Sequence, residues 1–300
     1  MFGFINLHKP QGWTSHDCVA KVRRLLNTRK VGHGGTLDPL ATGVLPIAVG
    51  KATRLLSYLP SRKIYRAKVR FGMQTSTDDL EGEVLQTRSA DHLTLSDIEP
   101  YFAQFLGQVT QIPPQYSAIQ KDGKRLYELA RQGKVVEVPS RQVEIFSLAV
   151  LNWLPGEFPA LDLVITCGEG TYIRAIARDL GHLLGVGGTL AALERQESGG
   201  MNLEQSVTLE QLAAHPTDLI PPEKALGYLP QISLDSLTAQ RWCQGQKILL
   251  PPSAAQELAI ASTLVPLIAN LHEENDHYLG ITEIVRLETL FYLSPKVVLI

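Results

Sequence analysis

The chain has 300 residues, 44% hydrophobic and 19% charged, with a net charge of −2, figures ordinary for a globular protein of one large or two unequal domains. No run of about eighteen apolar residues is present to span a membrane as a helix, and Met1-Phe2-Gly3-Phe4-Ile5-Asn6 lacks the basic-then-apolar pattern of a secretory leader. Cys18, Cys167 and Cys243 are scattered and odd in number, which argues against a structural zinc site and fits a reducing compartment, so a cytoplasmic location is expected.

The small net charge hides an asymmetry. Residues 1–70 hold thirteen Lys and Arg against two acids, Asp17 and Asp38, and the rest of the chain is correspondingly acidic. A basic N-terminal third points to a polyanion such as nucleic acid, and the plainer alternative is a solvated basic face balanced elsewhere.

In chain order, Phe4 to Leu7 reads as a short strand and Lys9-Pro10-Gln11-Gly12 as a turn. Thr14-Ser15 offers an N-cap for a helix with Val19, Val22, Leu25 and Leu26 on one side and Lys21, Arg23, Arg24, Arg29 and Lys30 mostly on the others. Residues 31–43 are a Gly- and Thr-rich loop. Residues 63–71 alternate, with Tyr65, Ala67, Val69 and Phe71 on one face, as a half-buried strand does. Residues 74–82 read as a polar loop, Ser96 as the cap of a helix to about 105, and Lys124–Gln132 as a helix within a basic segment, 111–141. Leu161–Cys167 reads as an apolar strand, Thr171–Leu184 as an amphipathic helix with Arg174 and Arg178 off its apolar side, and 189–197 as a further strand. His215-Pro216 and Pro221-Pro222 mark a linker, after which short apolar runs (Ile248–Leu250, Leu279–Ile281, Val297–Ile300) suggest a small β domain. The class is mixed α and β (α+β), and the long connections 73–95 and 108–125 do not suit a doubly wound sheet.

Several familiar motifs fail. Gly43 to Gly50-Lys51-Ala52 is two residues too long for a phosphate loop and lacks its hydroxyl, Gly185-Val186-Gly187-Gly188 lacks the third glycine of a dinucleotide fingerprint, and the histidines show no ligand spacing. No metal site is expected. What stands out is Asp38, the only acid between residues 18 and 77, in Gly34-Gly35-Thr36-Leu37-Asp38-Pro39-Leu40-Ala41-Thr42-Gly43. Asp before Pro is common in turns, so a turn or cap is one reading. The other is chemistry: flanking glycines permit close approach by a ligand, and basic surroundings keep a carboxylate ionised as a nucleophile or base.

Five ordered segments carry a resemblance. Gly35-Thr36-Leu37-Asp38-Pro39-Leu40-Ala41-Thr42-Gly43-Val44-Leu45 resembles the signature of the TruB-type tRNA pseudouridine synthases. Asn6 to Ser15, Lys63-Ile64-Tyr65-Arg66 with Thr75-Ser76-Thr77-Asp78, Pro113 to Ile119 with Arg125 to Arg131, and Cys167 to Arg174 resemble its further motifs in the same order. The resemblance covers about residues 4–200. It implies a pseudouridine synthase fold, with a mainly antiparallel sheet flanked by helices in a catalytic domain (1–228), an RNA-gripping insertion at 111–141, and a degenerate PUA-like β domain (229–300).

The resemblance also implies roles. Asp38 would attack the flipped uridine, at base or sugar, in the tRNA T loop at the position usually numbered 55. Tyr65 would pack on the uracil near the proton leaving carbon 5, and Arg174 would pair with Asp38. His33 would wedge into the space left by the base, and Tyr172 and Leu193 would complete the pocket. Lys9, Arg23, Arg24, Lys30, Lys51 and Arg54 are candidates for phosphate contacts. An isomerisation needs no cofactor, and a monomer acting on tRNA is expected. Three departures, Glu169, Gln120 and Glu194, remove positive charge where the family usually carries it, and residues 230–300 hold seven acids against four Lys and Arg, which suggests a weak RNA platform. The rivals are an RNA-folding chaperone of the same fold, which would not need Asp38, Tyr65 and Arg174 together, and the related enzyme of guided ribosomal sites, whose lysine-rich tails are missing here.

Overall fold

The computed structural model describes residues 1–117, 120–121, 124–125, 138–250, 267–273, 277–287 and 290–299. Its centre is a mixed sheet built from β1 (Gly3–Lys9), β2 (Val31–His33), β3 (Thr42–Val49), β4 (Lys63–Phe71), β7 (Gly107–Gln111), β8 (Arg141–Leu154), β9 (Ala160–Cys167) and β10 (Gly188–Ser198). The order is β1-β3-β10-β4-β9-β8-β7, and every pairing along it is antiparallel except β3 with β10. A short hairpin of β5 (Met73–Thr75) and β6 (Val84–Thr87) flanks the polar loop read at 74–82 and takes its first two residues into β5.

Two helices matter for the site. α1 (Ser15–Leu25) starts at a capping box, in which the Thr14 side chain takes the Asp17 amide and Asp17 takes that of Thr14. α2 (Ile173–Leu183) buries Ile173, Ile176, Ala177 and Leu180 on the sheet. The helix expected to be capped by Ser96 instead begins two residues earlier, at a Thr94/Asp97 capping box, runs over Leu95–Ile98 and tightens to a 3-10 turn through Phe105. Of the helix expected at Lys124–Gln132, Lys124 and Arg125 form a two-residue strand against Gln120 and Lys121, and the remainder lies outside the described residues.

Strand β3 has neighbours on both edges. β1 pairs along its whole length on one side. On the other, β2 takes Ile47–Val49 while β10 takes only Thr42 and Gly43. The loop carrying Asp38 emerges between those two partners. Both faces of β3 are covered: Leu45, Ile47 and Val49 join the main core, while Val44 and Ala48 join a second cluster with Phe4, Leu55, Leu226, Ile281, Val297 and Leu299. A strand buried on both faces reads as a continuous apolar run rather than an alternation.

The last segment forms a five-stranded sheet. Its strands are β11 (Gln231–Leu234), β12 (Ile248–Leu250), β13 (Leu267–Glu273), β14 (Tyr278–Leu287) and β15 (Leu290–Val298), in the order β11-β13-β14-β15-β12. Helix α3 (Ser236–Cys243) covers it with the fully buried Trp242, whose indole N–H donates to Thr282 Oγ1 at 3.3 Å. This is the β-rich unit expected at the C-terminus.

Candidate active site

The loop 34–44 is held at almost every residue. The Gly34 amide donates to Pro46 O (2.8 Å), and the Leu37 amide donates to Ser15 Oγ (2.8 Å), whose hydroxyl returns a bond to Leu37 O (3.1 Å). Pro39 O accepts the Gly12 amide (2.8 Å), and the Ala41 amide donates to Asp38 O (3.1 Å). Lys9 Nζ, fully buried, reaches Pro10 O, Trp13 O and Pro39 O at 2.9, 2.6 and 3.5 Å. The Arg195 guanidinium closes both ends, donating to Val44 O (2.7 Å), Gly35 O (3.0 Å) and Thr36 O (3.4 Å). Gly43 has φ +99°, and a Cβ there would collide with the Arg195 carbonyl, so only glycine lets β3 and β10 meet at this point.

Asp38 faces Arg174, the second residue of α2. Arg174 Nε lies 3.0 Å from Asp38 Oδ2, and its Nη1 is 3.4 Å from Asp79 Oδ2. Nη1 also donates to Thr77 O (2.9 Å) and Nη2 to Tyr116 O (3.0 Å). The arginine side chain is 5% exposed and that of Asp79 4%, while Asp38 keeps 36%. The pair is therefore open only on the carboxylate's side. Burial against the protein pushes the Asp38 carboxyl above the ordinary carboxylate range, while the Arg174 cation pulls it back down and the Asp79 charge adds to the rise. One helical turn on, Arg178 pairs with Asp78 (3.0 Å) and Asp179 (2.8 Å). Adjacent acids thus serve two arginines spaced one turn apart on one helix face. Asp78, at φ +62°, is held in place by the Leu190 amide donating to its carbonyl (3.0 Å).

The other expected pocket residues fall around this centre. Tyr65 is buried on β4, opposite Arg195 of β10 and Ile165 of β9. Burial raises its phenol above the usual range, and the nearby Arg195 cation works the other way. Leu193 is 8% exposed and sits two residues before Arg195, across from Ala67. Tyr172 precedes α2; its amide and carbonyl are clamped by the Gln111 side chain (2.8 and 3.1 Å), and Arg141 lies 5.7 Å over its ring. His33 ends β2, edge-on to His16 at 5.4 Å, and its Nδ1 accepts the Gly35 amide at 3.3 Å. Burial and the neighbouring His16 and Arg195 lower its pKa to about 4. At neutral pH it is an uncharged ring with its proton on Nε2.

The expected phosphate contacts divide. Arg24 and Lys30 are exposed on and after α1, and Arg23, exposed too, also donates to Val31 O (3.0 Å). Lys9 is a correction: a fully buried ammonium bonded to loop carbonyls cannot meet a phosphate, and burial lowers its pKa to about 8. Lys51 and Arg54 are engaged as well, donating to Leu299 O (2.8 Å) and Val298 O (2.6 Å) of the C-terminal sheet.

Asp79, Arg195 and Ser15 were not expected at the site. For Arg195 a signal existed: it shares the core-facing side of its strand with Leu193, where a cation is out of place. For Asp79 the signal was the Asp78-Asp79 doublet facing Arg174 and Arg178. Among the described residues no group of three or more His, Cys, Asp or Glu side chains could hold a metal ion, and no helix is long and apolar enough to cross a membrane.

Residues 23–173 match the model of the TruB family pseudouridylate synthase N-terminal domain, and 174–227 that of the tRNA pseudouridylate synthase B C-terminal domain. The chain is similar to proteins named tRNA pseudouridine synthase B. One from Synechocystis sp. is 55% identical with all of both chains covered. One from Gloeothece citriformis is 54% identical over 100% of this chain and 97% of its own, and one from Trichormus variabilis is 60% identical over 83% and 87%. Among solved structures, an H/ACA RNP bound to a substrate RNA containing 2'-deoxyuridine aligns with TM-score 0.72 at 23% identity, covering 99% of this chain and 85% of that one. A Cbf5-Nop10-Gar1 complex aligns equally well (0.72) at 25% identity, covering 99% and 84%.

Proposed function

The chain belongs to the TruB family of pseudouridine synthases, and from that premise we propose that it isomerises the T-loop uridine of tRNA, at the position usually numbered 55, with Asp38 as the attacking group. As a family member it is an RNA pseudouridine synthase, an isomerase. A stacked uridine is out of reach, so the base must first be flipped out, at a cost of about a few kcal/mol. Neutral His33 fills the vacated stacking space, and Tyr65, Tyr172 and Leu193 receive the uracil. Attack by the Asp38 carboxylate divides the reaction. The bond from N1 to the ribose breaks, the uracil turns, carbon 5 bonds to the ribose, and the bond formed to Asp38 breaks again, returning its electron pair to the carboxylate. The proton leaving carbon 5 is lost near Tyr65, and N1 ends protonated. Atoms balance without an electron acceptor or group donor, so the proposal assigns no cofactor.

One observation carries this reading: a carboxylate open to solvent on one side, with its other side fixed by an arginine that is itself sealed by Asp79 and two carbonyls. A turn or cap would not need that arrangement. We divide the protein into a catalytic part, 1–228, with its RNA-gripping insertion at 111–141, and a β domain, 229–300, and take it to act as a monomer in the cytoplasm. The test is incubation of the full chain with an unmodified tRNA transcript and mapping of pseudouridine. One new pseudouridine in the T loop is expected; none, or one elsewhere only, would refute the assignment.

A further inference from the structure

We infer that Arg195 is a positioning residue of this reaction, a buried tether that sets the Asp38 loop and the Tyr65 ring in register with each other. The inference rests on the reading of Asp38 as the attacking group. Arg195 is 1% exposed, yet among the described residues no carboxylate pairs with it. Its guanidinium donates to three carbonyls, Gly35 and Thr36 at the start of the loop and Val44 at its end. A buried cation with only neutral acceptors is costly to keep, and a hydrophobic residue would serve packing alone at less cost. What the guanidinium adds is geometry, because its donors are spread over a rigid planar fork, whereas an ammonium is one point with three rotatable donors.

The backbone of Arg195 supplies the other half. It lies opposite Gly43 of β3 on one side and Tyr65 of β4 on the other. Its cation also lies near enough to the Tyr65 phenol to oppose the rise in pKa that burial causes there. One residue thus links the strand that ends the loop, the carbonyls that begin it and the ring expected to cover the base. Asp38 has its carboxylate aimed by Arg174, but Arg174 bonds none of the backbone of loop 34–44. That backbone depends on Arg195, Ser15 and Lys9.

Full-length Arg195→Lys and Asp38→Asn are compared with wild type for single-turnover pseudouridine formation, tRNA affinity and amide hydrogen exchange. Arg195→Lys should slow turnover about 100-fold with affinity within about threefold of wild type, the scale expected when a reacting group is misplaced by about an ångström. Exchange should rise within 34–43 and stay low in Lys63–Phe71. Wild-type turnover, or slow turnover without a change in loop exchange, overturns the inference. Should the lysine variant not fold, the wild-type guanidinium is read by NMR: slowly exchanging Nε–H and resolved Nη signals are expected, and a freely rotating group overturns the inference. Full turnover by Asp38→Asn would instead overturn the reading of Asp38, whatever Arg195 does.

Discussion

The loop 34–44 and the C-terminal sheet draw on the same basic N-terminal third for different ends. Around the loop, Lys9 joins Arg195 in donating to backbone carbonyls, and the result is a fixed carboxylate. At the sheet, Lys51 and Arg54 donate to the carbonyls of Leu299 and Val298, and an apolar cluster containing Phe4, Val44, Ile281 and Val297 joins the two parts. In both regions cations that look like an RNA footprint bond the protein's own backbone, Lys9 fully buried and Lys51 and Arg54 still exposed. Charge counted along a sequence therefore overstates the surface left for phosphates. The C-terminal sheet is docked on the back of β1 and β3 rather than appended.

The contrast can be broken at either end. The largest effect is expected at Arg174. Arg174→Gln removes the cation from a buried pair, a change worth about 3–5 kcal/mol where the partner charge stays behind, and should cut kcat by about 100- to 1,000-fold. The pH dependence gives a second readout. The Asp38 pKa is already raised by burial, and the proposed attack needs the ionised form, so activity should fall as pH drops through that raised value. Without Arg174 the carboxyl rises further, and the acid limb of the kcat profile should move to higher pH. An unmoved limb would mean that Arg174 does not set the charge on Asp38.

A smaller effect is expected at the sheet. Lys51→Ala with Arg54→Ala should cost about 1–2 kcal/mol of stability in denaturant unfolding, from two partly exposed hydrogen bonds, and leave the salt dependence of tRNA binding as it was. Arg23→Ala, Arg24→Ala and Lys30→Ala should do the reverse. Each should reduce the log–log salt slope by about 0.7–0.9 with little change in stability. Equal salt effects in the two sets would return Lys51 and Arg54 to the RNA surface.

Local pattern made much of the frame legible. Alternation marked Lys63–Phe71, and Thr14-Ser15 marked the start of α1. The short strands Val31–His33, Met73–Thr75, Val84–Thr87 and Gly107–Gln111 read as loop or connection, and two long strands were not legible either. Thr42–Val49 is covered on both faces and contains Pro46, so it has no alternation. Arg141–Leu154 alternates at Val143 and Ile145, then loses parity at register shifts beside Ile145 and Val150. At the site, Asp38 stood out by its charge, but its partner did not. Arg174 reads as an ordinary helix cation, and only the family resemblance joined it to an acid far back in the chain. The Lys9 environment was illegible for the same reason, because the carbonyls that bury it converge from the turn 10–13 and from Pro39.

The central claim is that the Asp38 carboxylate itself reacts, and Asp38→Asn tests it most directly. The substitution keeps size and shape and removes the charge that Arg174 holds. Assayed on unmodified tRNA transcript beside wild type, the variant should bind the RNA with nearly unchanged affinity and form no pseudouridine over many wild-type turnover times. Pseudouridine appearing in the T loop at a comparable rate would contradict the account.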